Sequence, residues 1–239
     1  MLPSSAPTIE IAKIDRVEIA VEPWSWEFAT AQRREIDRFF TDMQKQRSHL
    51  WNGRVLMLRD YDVRDGVLRG SCFEADFASF MAWRDWEFPD PSVYNIFPVS
   101  ALRAADGAFI VGEMAPSTAG AGQVCFPGGT PDLDDILENG VLDVASNQRR
   151  ELMEETGLNL DEFDTEPGWT MVRDRSFFAL MKRVRSQLGA EELRTRILRH
   201  LAVDPHPEFV EIKLLRRPDD LDNRMRAYLR AYIEYEWRR

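Results

Sequence analysis

The sequence has little cysteine, little histidine and no long apolar run. Its two cysteines, Cys72 and Cys125, stand far apart with no CxxC spacing and no Cys/His cluster, which excludes a disulfide scaffold and a thiolate zinc site. Apolar runs extend only a few residues, against the ~20 needed to cross a bilayer, so no membrane span is expected. Positive charge is in deficit as well. With 31 Lys and Arg against 41 Asp and Glu the net charge is −10, which argues against a large phosphate-tracking surface and against nucleic acid as a partner. The N-terminus MLPSSAPTIEIAKIDR lacks a basic start followed by an apolar run. Together with the sparse thiols, this reads as a reduced, cytoplasmic protein.

What is present is enough apolar material, 44% of 239 residues, for one large domain or a medium domain with an addition. RVEIAVEPW (16–24) alternates like a strand, and 28–46 places Ile36, Phe39, Phe40 and Met43 at helical spacing. GRVLMLRDYDV and GVLRGSCFEADF flank the turn signal Arg64-Asp65-Gly66, and 75–86 again has helical periodicity. PDPSVYN (89–95) interrupts both periodicities and divides the chain into an N-terminal α/β unit, 1–95, and a second unit, 96–239. In the second, IFPVSALRA and GAFIVGEMA read as a hairpin around Ala105-Asp106-Gly107. VCFPGG ends in a tight glycine turn. VASNQRRELMEETG reads as a helix, GWTMVRDRSFFALMKRVR as one or two strands, AEELRTRILRHLA as a helix, PEFVEIKLLRR as a strand and NRMRAYLRAYIEYEW as a terminal helix. That last helix has an apolar side that can pack on its own domain or on a twin subunit in a homodimer; the first is commoner.

RRELMEETGL (149–158) breaks a local rule. On a helix Glu151, Glu154 and Glu155 share one face and repel by a few tenths of a kcal/mol each. Gly157 is a natural helix stop, so Glu154 and Glu155 also sit near the negative end of the helix dipole, each costing roughly 0.3–1 kcal/mol. A cluster of hard oxygen ligands suits Mg²⁺ or Mn²⁺, which converts that repulsion into attraction. The alternative is a solvated face in which Arg150 pairs with Glu154.

The run Arg150-Glu151-Leu152-x-Glu154-Glu155-x-Gly157-Leu158, preceded by Pro127-Gly128-Gly129, resembles the signature of Nudix hydrolases, in which a glycine-ended strand leads through a loop into a REUxEExGU helix, U being bulky and apolar. Its core should arise by accident in on the order of one chain in ten thousand of this length. The resemblance spans roughly 96–222 and implies a Nudix-type α/β/α sandwich with a mixed sheet, to which 1–95 is an α/β extension. The family pattern G-x5-E-x7-R-E-U-x-E-E-x-G-U is broken at one place: Leu142 stands where its first glutamate belongs. Asp135 has the right spacing from Gly129, but the segment PDLDDILENGVL then inserts seven extra residues before the helix, so Asp135 or Glu138 would have to fold back to substitute. Asp143 reads as the helix N-cap. In the family the missing glutamate mostly supports the helix arginine, so altered local geometry is expected rather than lost catalysis.

Nudix hydrolases attack a phosphorus of a nucleoside diphosphate linked to another group, using water and divalent metal. By resemblance Glu151 and Glu155 bind the catalytic metals, Glu154 shares a metal or assists, Arg150 anchors the carboxylates, and the Gly129 carbonyl adds a ligand. A further carboxylate is expected from Glu208, with Glu211 second, unless these are ordinary exposed strand glutamates. His200 and His206 qualify only by residue type. Trp51, Trp83, Trp86 and Trp169 could stack on a base or belong to the core. Arg54, Arg103, Arg173 and Arg175 are candidate phosphate ligands. The stretch LWNGRVLMLRDYDV with FASFMAWRD loosely resembles the N-terminal region of UDP-glucose-type Nudix hydrolases, which implies UMP and a sugar 1-phosphate as products and an N-terminal unit closing over the sugar. Coenzyme A and ADP-ribose types stay open. The implied function is Mg²⁺- or Mn²⁺-dependent hydrolysis of a small nucleoside diphosphate derivative. The competing readings are a catalytically silent Nudix-fold binding module, favoured by Leu142 and the insertion, and a structural α/β protein.

Overall fold

A computed structural model describes residues 9–47 and 50–239. The reading of the N-terminus rests partly on residues 1–8, which lie outside the described residues. The first part of the chain runs β1 (Glu10–Ile14), β2 (Arg16–Val21), α1 (Glu27–Ala31), α2 (Arg33–Gln46), β3 (Arg54–Arg64), β4 (Val67–Asp76) and α3 (Phe77–Asp85). The second runs β5 (Asn95–Arg103), β6 (Phe109–Met114), the short β7 (Val124–Cys125), α4 (Val144–Thr156), the short β8 (Asp164–Thr165), β9 (Trp169–Asp174), β10 (Phe177–Arg185), α5 (Ala190–Leu201), β11 (Phe209–Leu215) and α6 (Ala227–Trp237).

The main sheet is mixed, in the order β1-β9-β10-β5-β6-β11, with β7 on β6 and β8 on β10; β10 and β5 are parallel. A second sheet has the order β2-β4-β3. Because side chains alternate along a strand, β10 sends Phe177, Ala179 and Met181 to one face, where they pack on Tyr228, Leu229, Tyr232 and Ile233 of α6. Phe178 and Leu180 point to the other face and share a core with Ile19, Leu56, Leu58 and Leu68 of the second sheet. Further along that face Leu102 and Val184 meet Leu152 of α4 and Leu193 and Ile197 of α5. Helices thus cover both faces, which makes β5 a nearly continuous buried run rather than an alternating one. Each large side chain so buried contributes about 1.5–3 kcal/mol. The apolar side of the terminal helix is therefore covered by its own chain.

The N-terminal part has its own core of Trp26, Phe73, Phe80 and Trp83, with Ile36 and Phe40 of α2 against Ala78 and Ala82 of α3. Asp76 caps α3, accepting from Ser79 N at 3.0 Å, and Arg33 pairs with it at 2.8 Å.

Three local expectations change. The helix expected over 28–46 is interrupted at Gln32, whose φ and ψ of −103° and 15° are not helical. EIAKI, not anticipated as a strand, forms β1 and pairs with β9 from Glu10↔Arg173 to Ile14↔Trp169, so a segment before the Pro-rich interruption belongs to the main sheet. The hairpin of β5 and β6 pairs only at Arg103↔Phe109. Beyond that the strands splay because the segment after β7 is wedged between them: β7 pairs with β6, and Ser100 N donates to Pro127 O at 2.8 Å on the β5 side. Among the described residues no helix is long and apolar enough to cross a membrane.

Candidate active site

The wedge brings the glycine turn to the acidic helix. Gly128 has φ +156°, and a Cβ there would lie 2.4 Å from Pro98 O, so only glycine fits against β5. Its N–H donates to Glu155 Oε2 at 2.7 Å. A Cβ on Gly129 would lie 2.5 Å from the Glu151 carboxyl carbon, which puts that carboxylate directly on the turn.

Helix α4 is built as its sequence requires. Asp143 accepts from the backbone of Ala145 and Ser146 at 3.1 and 3.0 Å, and Gly157, at φ +68°, ends the helix. Leu152 is fully buried, so its helical neighbours Glu151 and Glu155 flank the packed face and point along the turn. Glu155 is 3% exposed and, among the described residues, has the Gly128 N–H as its hydrogen bond and no cation within ion-pair distance. Burial, and then the charges of Glu208 and Glu151, hold its pKa well above the usual carboxylate value; the Gly128 bond opposes this. Glu151 is pushed up to about 7, by burial first, with Arg150 opposing and Glu208, Glu154 and Asp135 adding to the rise.

Arg150 is the hub of a fan of carboxylates. It meets Asp135 at 3.0 Å, Glu151 at 3.0 Å, Glu154 at 3.2 Å and Asp132 at 3.8 Å. Burial opposes its charge, and Glu151, Asp135, Glu154 and Asp132 outweigh it, so the guanidinium stays protonated. Asp135, 3% exposed, is thus the insertion carboxylate that reaches Arg150, while Glu138 is exposed and Leu142 is buried in the core shared by the two sheets. Of the two carboxylates in the insertion that could fold back, Asp135 is the one that does.

Glu151, Glu155, Gly129 and Glu208 line one cleft of about 800 Å³. Glu208, just before β11, is exposed at the cleft, and desolvation, followed by the charges of Glu154 and Asp204, raises its pKa. Glu211 lies outside and pairs with Lys213. Glu154 is exposed and pairs with Arg150 rather than lining the cleft. His206 lines it; His200 does not, and its Nε2 lies 2.9 Å from Glu154 O. Among the tryptophans Trp51, 76% exposed, is at the cleft, whereas Trp83 and Trp169 are core and Trp86 packs on Phe28 and Phe39. Among the arginines Arg54 lines it, whereas Arg173 pairs with Glu10, Arg103 bonds to Gly107 O and Arg175 bonds to Glu87 O.

The sequence reading missed Arg84 and Arg226, which also line the cleft. Neither has a local signal: each sits among helix-forming residues where an arginine is ordinarily a solvated surface group. Arg84, at the end of α3, donates to Ala119 O at 3.0 Å, and Arg47 donates to Thr118 O at 3.1 Å. The N-terminal part thereby holds the 115–123 loop over the cleft, and its Phe77 and Phe80 form part of the wall.

Among the described residues no group of three or more His, Cys, Asp or Glu side chains is drawn together as a ready-made metal site. The donor set nevertheless fits a hard divalent cation. Glu155 is a buried carboxylate with no cation beside it, and Glu151, whose one cation is Arg150, lies a helical turn away; both face a cleft large enough for a ligand.

Fold and site together define an α/β protein with a mixed sheet and an acidic helix facing a glycine turn across a cleft. Solved structures to which the chain is similar include the MutT protein from Methanosarcina mazei Go1, 18% identical over 61% of this chain and 94% of that one, TM-score 0.41. They include the Nudix hydrolase RenU from M. smegmatis, 12% identical over 60% and 82%, TM-score 0.37, and a NUDIX-family hydrolase from Clostridium perfringens, 14% identical over 59% and 94%, TM-score 0.35. No family model and no curated protein matches the chain by sequence.

Proposed function

We propose that this chain is a Nudix-type hydrolase that cleaves the pyrophosphate bond of a small nucleoside diphosphate derivative with the help of Mg²⁺ or Mn²⁺. The observation that carries the reading is the pair Glu151 and Glu155: two carboxylates one turn apart on one helix, held against a glycine turn at the cleft, of which Glu155 has no cation within ion-pair distance among the described residues.

Glu151, Glu155 and Glu208 would hold the metal, with the Gly129 carbonyl as a further oxygen donor. When bound there, a divalent ion polarises phosphate oxygens and lowers the pKa of attacking water. The chain's own residues position these donors. Asp135 fixes Arg150, Arg150 fixes Glu151, and the Gly128 N–H fixes one oxygen of Glu155, leaving its other oxygen for ligation. Glu154 serves the arginine. The N-terminal extension would act as a covering unit through α3 and the 50–55 segment, which supply one wall of the cleft, while its β1 belongs to the main sheet. A nucleotide sugar is one substrate class of suitable size, and the two unpaired thiols accord with a cytoplasmic setting.

The test is phosphate release, after coupled phosphatase treatment, from UDP-sugars, ADP-ribose, dinucleoside polyphosphates, coenzyme A and nucleoside triphosphates, with Mg²⁺, Mn²⁺ or chelator. Metal-dependent turnover of one group is expected. No turnover across the panel would turn the reading to a silent binding module.

A further inference from the structure

The cleft has a cation that the metal reading leaves unexplained. Arg226, the N-cap residue just before α6, lines the same cavity as Glu151, Glu155 and Glu208. Its guanidinium carbon lies 4.3 Å from the centroid of the Phe177 ring, and its Nε donates to Gln123 Oε1 at 2.9 Å. The stack and the bond fix the plane of the guanidinium. Among the described residues its Nη groups have no protein hydrogen-bond partner, and no carboxylate lies within ion-pair distance.

The other arginines of the cleft differ. Arg54 pairs with Glu74 at 3.1 Å, and Arg84 pairs with Asp85 at 2.9 Å. Around Arg226, burial works against the charge; Tyr228, Asp85 and Asp174 favour it from further away, and the like charge of Arg84 disfavours it. An enclosed guanidinium with its forked edge unused is stabilised most by an anion that accepts two parallel hydrogen bonds, as phosphate does. The same space holds carboxylates short of positive charge. A metal-bound phosphate ligand removes both deficits at once, because its cation meets the carboxylates and its oxygens meet the arginine.

We propose that Arg226 is a substrate-contacting residue that binds phosphoryl oxygens of the diphosphate through its Nη edge, so that the ligand is held between the acidic helix α4 and the start of α6. The identity of the anion rests on the hydrolase reading above; the existence of the subsite does not. Gln123 and Phe177 position the guanidinium and do not themselves meet the ligand.

The test is calorimetric titration of the full chain with inorganic pyrophosphate in the presence of EDTA, for the wild type, Arg226→Gln and Arg226→Lys. The expected result is saturable binding by the wild type, a loss of about tenfold or more in Arg226→Gln, and an intermediate affinity in Arg226→Lys, which keeps the charge and loses the fork. On an ester that the wild type hydrolyses, KM should rise more than kcat falls in Arg226→Gln. Equal pyrophosphate affinity in wild type and Arg226→Gln, or no binding by the wild type, overturns the subsite. Weakened binding in Arg226→Gln with no turnover of any diphosphate ester keeps the subsite and removes the hydrolase reading.

Discussion

Asp135 Oδ2 accepts a hydrogen bond from Arg150 Nη2 at 3.0 Å, reaching the helix arginine from fifteen residues earlier in the chain. The reach is built into the insertion. Asp132 caps a short turn by accepting from Asp134 N at 2.8 Å, and Asp135 answers by accepting from Asp132 N at 3.0 Å. Asn147 Nδ2 donates to the same carboxylate oxygen at 2.8 Å, and Asp143 N donates to Asp135 O at 2.8 Å. Leu142 is meanwhile drawn into the core, its N–H donating to Ile19 O at 2.9 Å.

Asp135→Asn should therefore behave as the loss of a partner that supports, through Arg150, the proposed metal ligand Glu151. Activity is expected to fall about 10- to 100-fold, with Arg150 still held by Glu151 and Glu154. Removing the charge opposite a half-buried guanidinium should also lower stability by about 1–3 kcal/mol. Glu138→Gln, at an exposed position, should change neither; steady-state kinetics and urea melts of the two variants make the comparison.

Glu155→Gln retains an oxygen for the Gly128 N–H and removes a charged donor without changing size. Turnover should drop by roughly a thousandfold or more, equivalent to about 4 kcal/mol of transition-state stabilisation. In the absence of metal the variant should melt no lower than the wild type, since burial disfavours the native carboxylate. Unchanged turnover would refute the role given to this residue.

Gly128→Ala tests the wedge. Its Cβ would press on Pro98 O and Val99 Cα, at 2.4 and 2.9 Å, and neither backbone atom can give way without moving β5. A stability loss above about 1 kcal/mol is expected, together with lost activity as the donor to Glu155 shifts. Thermal melting and kinetics of a Gly122→Ala control, where no atom lies within 4 Å of the added Cβ but φ is +74°, separate local clash from backbone strain.

Acid stability should depend on Asp76. Burial opposes its ionisation, but the bonds from Arg33 and Ser79 outweigh that and hold its pKa below the ordinary value. A carboxyl whose folded pKa is depressed stabilises the fold fully above its unfolded pKa of about 3.9 and loses that contribution as pH falls through the folded value. Asp76→Asn should thus be less stable than the wild type near neutral pH, with the gap closing below about pH 4. Chemical denaturation at a series of pH values reads the gap directly, and a gap that widens in acid would contradict the assignment.

How much of this was legible in the sequence depends on whether the signal was local. Helix α4, its Asp143 cap and its Gly157 stop are written in consecutive residues, as are the turn at Arg64-Asp65-Gly66 and the extended run of β9 and β10, whose division into two strands the sequence left open. The substitute for the missing glutamate could be narrowed to Asp135 or Glu138 by spacing, but only the fold of the insertion selects Asp135. β1 was not legible because EIAKI is five residues with charge inside it, and Lys13 escapes that objection only by donating to Thr170 Oγ1 across the strand pair at 2.7 Å. The splay of β5 and β6 depends on a segment that returns from 124–128 to lie between them, a tertiary event that no alternation pattern encodes. Arg84 and Arg226 were invisible for the same reason: they meet the cleft through the packing of α3 and α6, not through any motif around them.

The most direct test of the central claim is a Mn²⁺ titration followed by electron paramagnetic resonance on the full chain, comparing wild type with Glu155→Gln and Glu211→Gln. Saturable Mn²⁺ binding by the wild type and by Glu211→Gln, weakened at least about tenfold in Glu155→Gln, is the predicted result. Equal binding in all three proteins, or none in any, would contradict a metal site on the α4 carboxylates.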